Sequence, residues 1–341
     1  MKSKRLKPTS IRKDEHLEVC FHHNVVYETI SNGFEKIKLD CSLFPSCDPT
    51  EVDLSTEIVG KPVKFPIIIS GITGGSPTAK KINKAIATVC NEFQIAMGVG
   101  SQRAMIEHPE LIDTYAVRDV APEIPLFANL GIGQFINGYS IEEANRAVSA
   151  ISADGLAIHV NPLQEFVQKE GDKHFSKAKN KILELLENCS FPIMVKGVGT
   201  GLSPNDAKFL AETKVSLIDV AGAGGTNWTK IEAIRNRSLP YLSESFLEWG
   251  ISSAQSLKNM IDARIDHNQK IVCSGGMWSG FDAVKALMIG ADYVAFALPV
   301  LRALKSGGIE VLKQYIQSYI TEMKITMAII GKRRISELKG D

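Results

Sequence analysis

Gly155-Leu156-Ala157-Ile158-His159-Val160-Asn161-Pro162-Leu163-Gln164-Glu165 joins a short apolar run to a cluster of polar side chains. The run Gly155 to Ile158 is too short for a helix and reads as the interior of a buried strand, which Pro162 prevents from extending. His159, Asn161, Gln164 and Glu165 then follow within seven positions. Each can bind an ion or a polyanion, and the end of a buried strand is where an α/β enzyme gathers its polar chemistry. Taken alone, the cluster is compatible with a metal site, a general base or a capped loop.

The same pattern of apolar run and polar end repeats on both sides of this stretch. Strands are expected at Pro66 to Ser70, Ile95 to Gly98, Leu126 to Asn129, Leu156 to His159, Ile193 to Lys196, Leu217 to Val220, Ile271 to Ser274 and Tyr293 to Phe296. These eight runs are mostly about 30 residues apart, the length of one βα unit, so the expected fold is α/β, a (β/α)8 TIM barrel. Helix starts agree. Ser76-Pro77, Ser203-Pro204 and Ser279 ahead of Gly280-Phe281-Asp282 supply N-cap residues, and Ser140 with Glu143 has capping-box spacing. A doubly wound open sheet would also alternate strands and helices. It should carry a Gly-rich turn after its first strand with an acidic partner about 20 residues on, and the Gly71 to Gly75 turn lacks that spacing.

Two segments fall outside the repeat. Residues 1–63 are polar and broken by Pro8, Pro45 and Pro49, with one alternating segment near Glu35 to Leu39; they are expected to form an N-terminal extension packing over the mouth of a barrel spanning 64–341. A longer insertion runs from Thr226 to Asp266 and contains Tyr241, Phe246 and Trp249. The 341 residues carry a formal net charge of +1, with 44% hydrophobic and 23% charged residues, which argues against a general nucleic-acid binder but permits a locally basic site for a phosphorylated small molecule. The six cysteines show no CxxC pair, as expected of reduced thiols. With no apolar stretch suited to a signal peptide or a membrane span, a soluble cytoplasmic protein without membrane partners is expected.

A barrel of this kind places its functional groups just beyond the strand ends. In order these are Gly71 to Gly75, Gly100-Ser101-Gln102-Arg103, Asn129, the His159 to Glu165 cluster, Lys196, Asp219 with Gly224-Gly225-Thr226, Gly275-Gly276, and Ala297-Leu298. Turns after strands seven and eight are the usual phosphate seat of this fold, built from bare backbone N–H groups, and Gly275, Gly276 and the Ala297-Leu298 amides fit that role. Such a seat, with Thr226, Lys196, Asn129 and the Thr73 turn across the mouth, describes a phosphorylated flat cofactor such as FMN. Plainer roles stand beside this one. The glycines can be tight turns, Lys196 can pair with Asp219 inside the barrel, Ser101 and Arg103 can cap a helix, and Glu165 can pair with a lysine.

Six motifs, in order along the chain, resemble the type 2 isopentenyl-diphosphate isomerases: RKDEHL at Arg12 to Leu17, ITGG at Ile72 to Gly75, GSQR at Gly100 to Arg103, HVNPLQE at His159 to Glu165, AGAGGTNW at Ala221 to Trp228 and SGGM at Ser274 to Met277. The resemblance implies an enzyme that interconverts isopentenyl and dimethylallyl diphosphate with reduced FMN and Mg2+, NADPH being the reductant, in a homo-oligomer of four or eight chains. It implies FMN held by Ile72, Thr73, Gly74, Ser101, Asn129, Lys196, Thr226, Gly275, Gly276, Met277, Ala297 and Leu298. It implies the diphosphate held by Arg12, Lys13, Ser101, Gln102, Arg103, His159, Asn161 and Gln164, with Glu165 as the Mg2+ ligand. Arginines, a lysine and a carboxylate-bound Mg2+ suit a polyanion, and Arg12-Lys13 in a mobile tail would close over it. Lys196, His159, Gln164 and Glu232 are the candidates to assist catalysis around the flavin.

Two positions depart from the family pattern: Gly197 stands where a glutamate usually follows the strand-five lysine, and Trp278 stands where an arginine usually ends GG-x-R. The loop amides remain as anion donors at the second. Two other functions stay open at this point, an FMN-linked oxidoreductase acting on a related phosphorylated or isoprenoid substrate and a non-catalytic flavin or diphosphate sensor.

Overall fold

Side-chain alternation along eight short parallel strands closes one sheet on itself. The computed structural model describes residues 8–235 and 246–338. After a two-stranded antiparallel hairpin, β1 (Thr56–Ile58) and β2 (Lys61–Val63), come β3 (Ile67–Ile69), β4 (Ala96–Gly98), β5 (Leu126–Gly131), β6 (Gly155–His159), β7 (Ile193–Lys196), β8 (Leu217–Asp219), β9 (Lys270–Ser274) and β10 (Tyr293–Phe296). The closed order β10-β3-β4-β5-β6-β7-β8-β9 is a TIM barrel, and every one of the eight expected strands is present. Ile67, Ile69, Leu156, Ile158, Ile193 and Val195 point outward into the core shared with the helices. Their neighbours Ile68, Ala96, Phe127, Ala157, Met194, Leu217, Val272 and Ala295 fill the barrel. Burying a ring such as Phe127 there is worth about 2–3 kcal/mol.

The expected helix starts are in place. Ser76 accepts from the Ala79 amide at the head of α2 (Pro77–Phe93), Ser203 from Asp206 at the head of α8 (Pro204–Ala211), and Ser279 from Asp282 at the head of α11 (Gly280–Ile289). Ser140 and Glu143 form the capping box of α5 (Ile141–Ala150). The remaining helices are α1 (Pro8–His22), α3 (Arg103–Glu107), α4 (Ile132–Ile136), α6 (Pro162–Val167), α7 (Ala178–Asn188), α9 (Trp228–Arg235), α10 (Ser253–Ala263) and α12 (Leu298–Ile329).

The segment before the barrel reaches both of its ends. Helix α1 packs on α9 and α12 at the C-terminal face, with Leu17, Val19 and Cys20 buried against Ile231, Leu298 and Leu301. The β1–β2 hairpin instead stops the opposite end: Ile58 and Val63 join the barrel-filling side chains, Tyr293 Oη donates to the Glu57 carbonyl at 2.6 Å, and Lys61 pairs with Asp154 at 2.8 Å. Residues 34–36, in the segment expected to alternate, form one 3-10 turn. In the insertion after β8, the rings of Phe246 and Trp249 stack at 5.5 Å, while Tyr241 lies outside the described residues. Among the described residues no helix is long and apolar enough to cross a membrane.

Candidate active site

The alternation that fills the barrel with apolar side chains ends, one step further along each strand, in a layer of polar ones. Asn129, His159, Lys196, Asp219 and Ser274 share the inward parity of Phe127, Ala157, Met194, Leu217 and Val272, so all five face the mouth. They pair around the rim: His159 Nδ1 lies 2.8 Å from Asn129 Oδ1, Lys196 Nζ lies 3.9 Å from Asp219 Oδ2, and Ser274 Oγ donates to Asp219 Oδ1 at 2.6 Å. Burial, with the Lys196 and Lys13 charges nearby, pulls the His159 imidazolium down to about 3, so the ring is neutral. With Nδ1–H donating to Asn129, Nε2 carries the lone pair. Asp219 is raised by its burial, against the opposing pull of Lys196.

Above this layer a single cavity of about 240 Å³ opens under α1. One end is built from backbone. Gly225 and Gly276 pack so closely that a Cβ on Gly225 would lie 2.2 Å from the Gly276 amide nitrogen, which brings the turns after β8 and β9 together as one wall. Beside them Ala297, the N-cap of α12, and Leu298, its first residue, line the cavity at the helix N-terminus. Trp278 Nε1 donates to the Gly224 carbonyl at 3.1 Å and ties the two turns. Thr73 also lines the cavity, and its Oγ1 is buried with no hydrogen-bond partner. An orphaned hydroxyl in the wall of a cavity that also has a glycine-walled anion seat suits a bound polar group such as the flavin of FMN.

The other end is built from charge. Helical spacing puts Arg12, Lys13 and His16 on the face of α1 turned to the cavity, with Arg103 opposite at the head of α3. Lys13 Nζ donates to the Ser101 carbonyl and to Tyr115 Oη at 2.9 Å, and burial next to Arg12 brings its ammonium down to about 7. Asp14 accepts from Ser76 Oγ at 2.6 Å. Behind the cavity Glu232, fully buried, receives His16 Nε2 at 2.9 Å, Gln164 Nε2 at 3.1 Å and Arg235 Nη1. Gln168, in the amide orientation that satisfies its neighbours, donates to Glu232 at 2.9 Å and accepts from Arg12 at 3.1 Å. Burial alone would raise the Glu232 carboxyl, but His16, Arg235 and Gln164 outweigh it and hold the group below the usual carboxylate range. Glu165, in α6, receives Asn161 Nδ2 at 3.1 Å and the Asp172 amide at 2.8 Å, and burial raises it.

Of the residues singled out in the sequence, Arg12, Lys13, Ile72, Thr73, Ser101, Arg103, Asn129, His159, Asn161, Gln164, Glu165, Lys196, Thr226, Gly275, Gly276, Met277, Ala297 and Leu298 line this one cavity. Three do not. Gln102 is fully buried in the wall, where Nε2 donates to the Ala147 carbonyl and Oε1 accepts from the Asn129 amide, both at 2.9 Å. Gly74 sits against the Tyr115 ring, and Glu232 lies behind Gln164. Arg12 and Lys13, expected in a tail, stand on a docked helix. Sequence reasoning assigned no role to His16, Gln134, Gln168 or Ser274, all of which line the cavity. His16 was within reach, being four residues after Arg12 on a helical face. Among the described residues no three His, Cys, Asp or Glu side chains gather into a metal-binding group.

Comparison with known proteins places this geometry. The family model for FMN-dependent dehydrogenase matches residues 125–341. The isopentenyl-diphosphate delta-isomerase of Synechocystis sp. is 42% identical over 97% of this chain and 94% of its own length. Those of Thermococcus onnurineus and Rickettsia africae are 42% and 39% identical, over 97% and 96% of this chain and 90% and 95% of their own. Among solved structures, mandelate oxidase aligns with a TM-score of 0.65 over 96% of this chain and 92% of its own at 15% identity, a likeness of fold alone.

Proposed function

The chain belongs to the isopentenyl-diphosphate delta-isomerase family, and we propose that it interconverts isopentenyl and dimethylallyl diphosphate by adding a proton at one carbon and removing one from another. The observation that carries this proposal is a single cavity with two differently built anion-receiving ends, glycine turns and a helix N-terminus at one, Arg12, Lys13 and Arg103 at the other. A phosphorylated cofactor and a diphosphate substrate need such a pair of seats. FMN, bound in its reduced form, supplies the proton donor and acceptor that an unactivated alkene requires.

The chain's own residues hold and enclose. The amides of Gly275, Gly276, Ala297 and Leu298 with Thr226 receive the cofactor phosphate, while Ile72, Thr73, Ser101, Asn129, Lys196 and Met277 hold the rest of it. Lys196, kept in place by Asp219 and by the Gly197 carbonyl at 2.9 Å, presents its ammonium to the cavity. Arg12, Lys13, Ser101, Arg103, His159, Asn161 and Gln164 receive the diphosphate, and α1 excludes water above it. Glu165 holds Mg2+ as one carboxylate ligand, leaving the remaining positions to substrate oxygens and water, a donor set this ion accepts. Glu232 keeps a negative charge behind Gln164 and fixes that amide at the cavity edge. NADPH is the proposed reductant, the cytoplasm the proposed compartment, and the exposed Trp249 stacked on Phe246 supports a homo-oligomeric interface.

The test is to reduce the flavin under anaerobic conditions and add isopentenyl diphosphate with Mg2+. Dimethylallyl diphosphate should accumulate over many turnovers with no flavin oxidation. One oxidised flavin per product molecule would instead make the chain an oxidoreductase.

A further inference from the structure

We propose that Asp172 is a positioning residue that sets the Glu165 carboxylate for its metal ion, an inference resting on the proposal that Glu165 is the Mg2+ ligand. Asp172 lies beyond the end of α6 and links it to α4, which follows the paired neighbouring strand β5. Its amide donates to Glu165 Oε2 at 2.8 Å. Its carboxylate receives Asn137 Nδ2 at 2.7 Å and Gln134 Nε2 at 3.4 Å, both from the region of α4 that follows β5. Glu165 is thereby held from both sides, Oε1 by Asn161 and Oε2 by a backbone amide that the Asp172 side chain pins to the neighbouring βα unit.

Two features show that this brace is built into the chain. Gly133 makes room for it, since a Cβ there would lie 2.6 Å from Asp172 Oδ2. Lys173 fastens the same return loop to the end of α6, donating to the carbonyls of Glu165 at 2.6 Å and of Phe166 and Gln168 at 2.8 Å. A free glutamate side chain samples several rotamers and must be ordered when an ion binds. Outer groups that fix a ligand's orientation in advance typically contribute about 10- to 100-fold in metal affinity.

The test measures Mn2+ binding to the flavin-loaded protein with isopentenyl diphosphate present, read from loss of the free-ion electron paramagnetic resonance signal. Asp172→Ala should weaken binding by about 10- to 100-fold. Asp172→Asn, whose Oδ1 still accepts from Asn137, should recover most of it. Gly133→Ala, which removes no polar group but displaces the Asp172 carboxylate, should reproduce the loss. Metal-free thermal midpoints should stay close to that of the parent protein for Asp172→Asn. Unchanged Mn2+ affinity in Asp172→Ala and Gly133→Ala, with binding abolished in Glu165→Gln, overturns the inference and leaves Glu165 in its role. A loss that Asn does not rescue, matched by an equal fall in metal-free stability, also overturns it, because the role is then only structural. Intact binding in Glu165→Gln shows instead that the metal assignment itself is at fault.

Discussion

His16 Nε2 stands 2.9 Å from Glu232 Oε1, and through that contact the helix over the cavity is joined to the barrel. His16 comes from α1, Glu232 from α9, and the same carboxylate reaches α6 through Gln164. A fully buried carboxylate is tolerable only when paired, and here Arg235 and His16 provide the pairing. Glu232→Gln removes the buried one of three carboxylates that pair with Arg235, leaving Glu15 and Glu170, and should destabilise the protein by about 2 kcal/mol. The sign with pH follows from the carboxyl being held below its ordinary value. The folded state favours the ionised form, so this stabilisation is present above the unfolded carboxyl value of about 4.3 and is lost as pH falls below it. Urea midpoints measured from neutral to acid pH should show that this part of the acid loss is missing in Glu232→Gln. Parallel curves for the two proteins would rule the coupling out.

Thr73→Val tests the cofactor seat. The hydroxyl is buried without a partner, so in the flavin-free protein its replacement by a methyl group should change stability by less than about 1 kcal/mol. Flavin affinity should fall about tenfold, the worth of one hydrogen bond of about 1.4 kcal/mol. Flavin fluorescence titration and chemical denaturation separate the two effects, and equal flavin affinity would mean that Thr73 faces no bound group.

Gly225→Ala tests the glycine wall. The added Cβ would fall 2.2 Å from the Gly276 nitrogen, a backbone atom that cannot rotate away. The turns after β8 and β9 must then separate, taking Thr226 and the Gly275–Gly276 amides out of register. Flavin affinity should drop by about 100-fold or more, which corresponds to about 2.7 kcal/mol of lost contacts. Fluorescence titration checks this, and a drop of less than about fivefold would mean the phosphate rests elsewhere.

The barrel was legible because strand period and unit length repeat eight times, and each repeat but the last ends on a polar or glycine-rich signal. Their places at strand ends made Asn129, His159 and Lys196 legible as well, and in the structure each is two residues beyond an inward apolar one. What lay beyond a strand end was harder to see. In Gly100-Ser101-Gln102-Arg103 the turn geometry decides which side chains face the cavity. Gln102 pairs with the Asn129 backbone and is drawn into the wall, while its neighbours Ser101 and Arg103 line the site. The extension was expected over the mouth. Its first part lies there, α1 and the segment Val25 to Asn32 that bonds to the turns after β8 and β9, whereas Ile58 and Val63 find their apolar partners at the other end of the barrel. The contacts of Glu232 with His16 and Gln168 join residues more than 60 positions apart, and no local pattern encodes such a meeting.

On the proposed diphosphate seat, substrate binding should be a proton-coupled event at Lys13. Burial beside Arg12 brings its ammonium down to about 7, so at pH 8 with α1 docked only about a tenth of the molecules carry that charge. A diphosphate beside Nζ favours the charged form and raises the value again. Binding at pH 8 should therefore take up close to one proton at Lys13, whereas at pH 6 the ammonium is already formed and uptake there should be small. The measurement is the calorimetric enthalpy of isopentenyl diphosphate binding to the protein with oxidised flavin, in buffers of different ionisation enthalpy. The same titration of Lys13→Met subtracts protons that belong to the substrate. The difference between the two proteins should approach one proton at pH 8 and shrink toward zero at pH 6. No difference at pH 8 would place the diphosphate away from Lys13, and a difference growing toward acid pH would contradict the lowered ammonium.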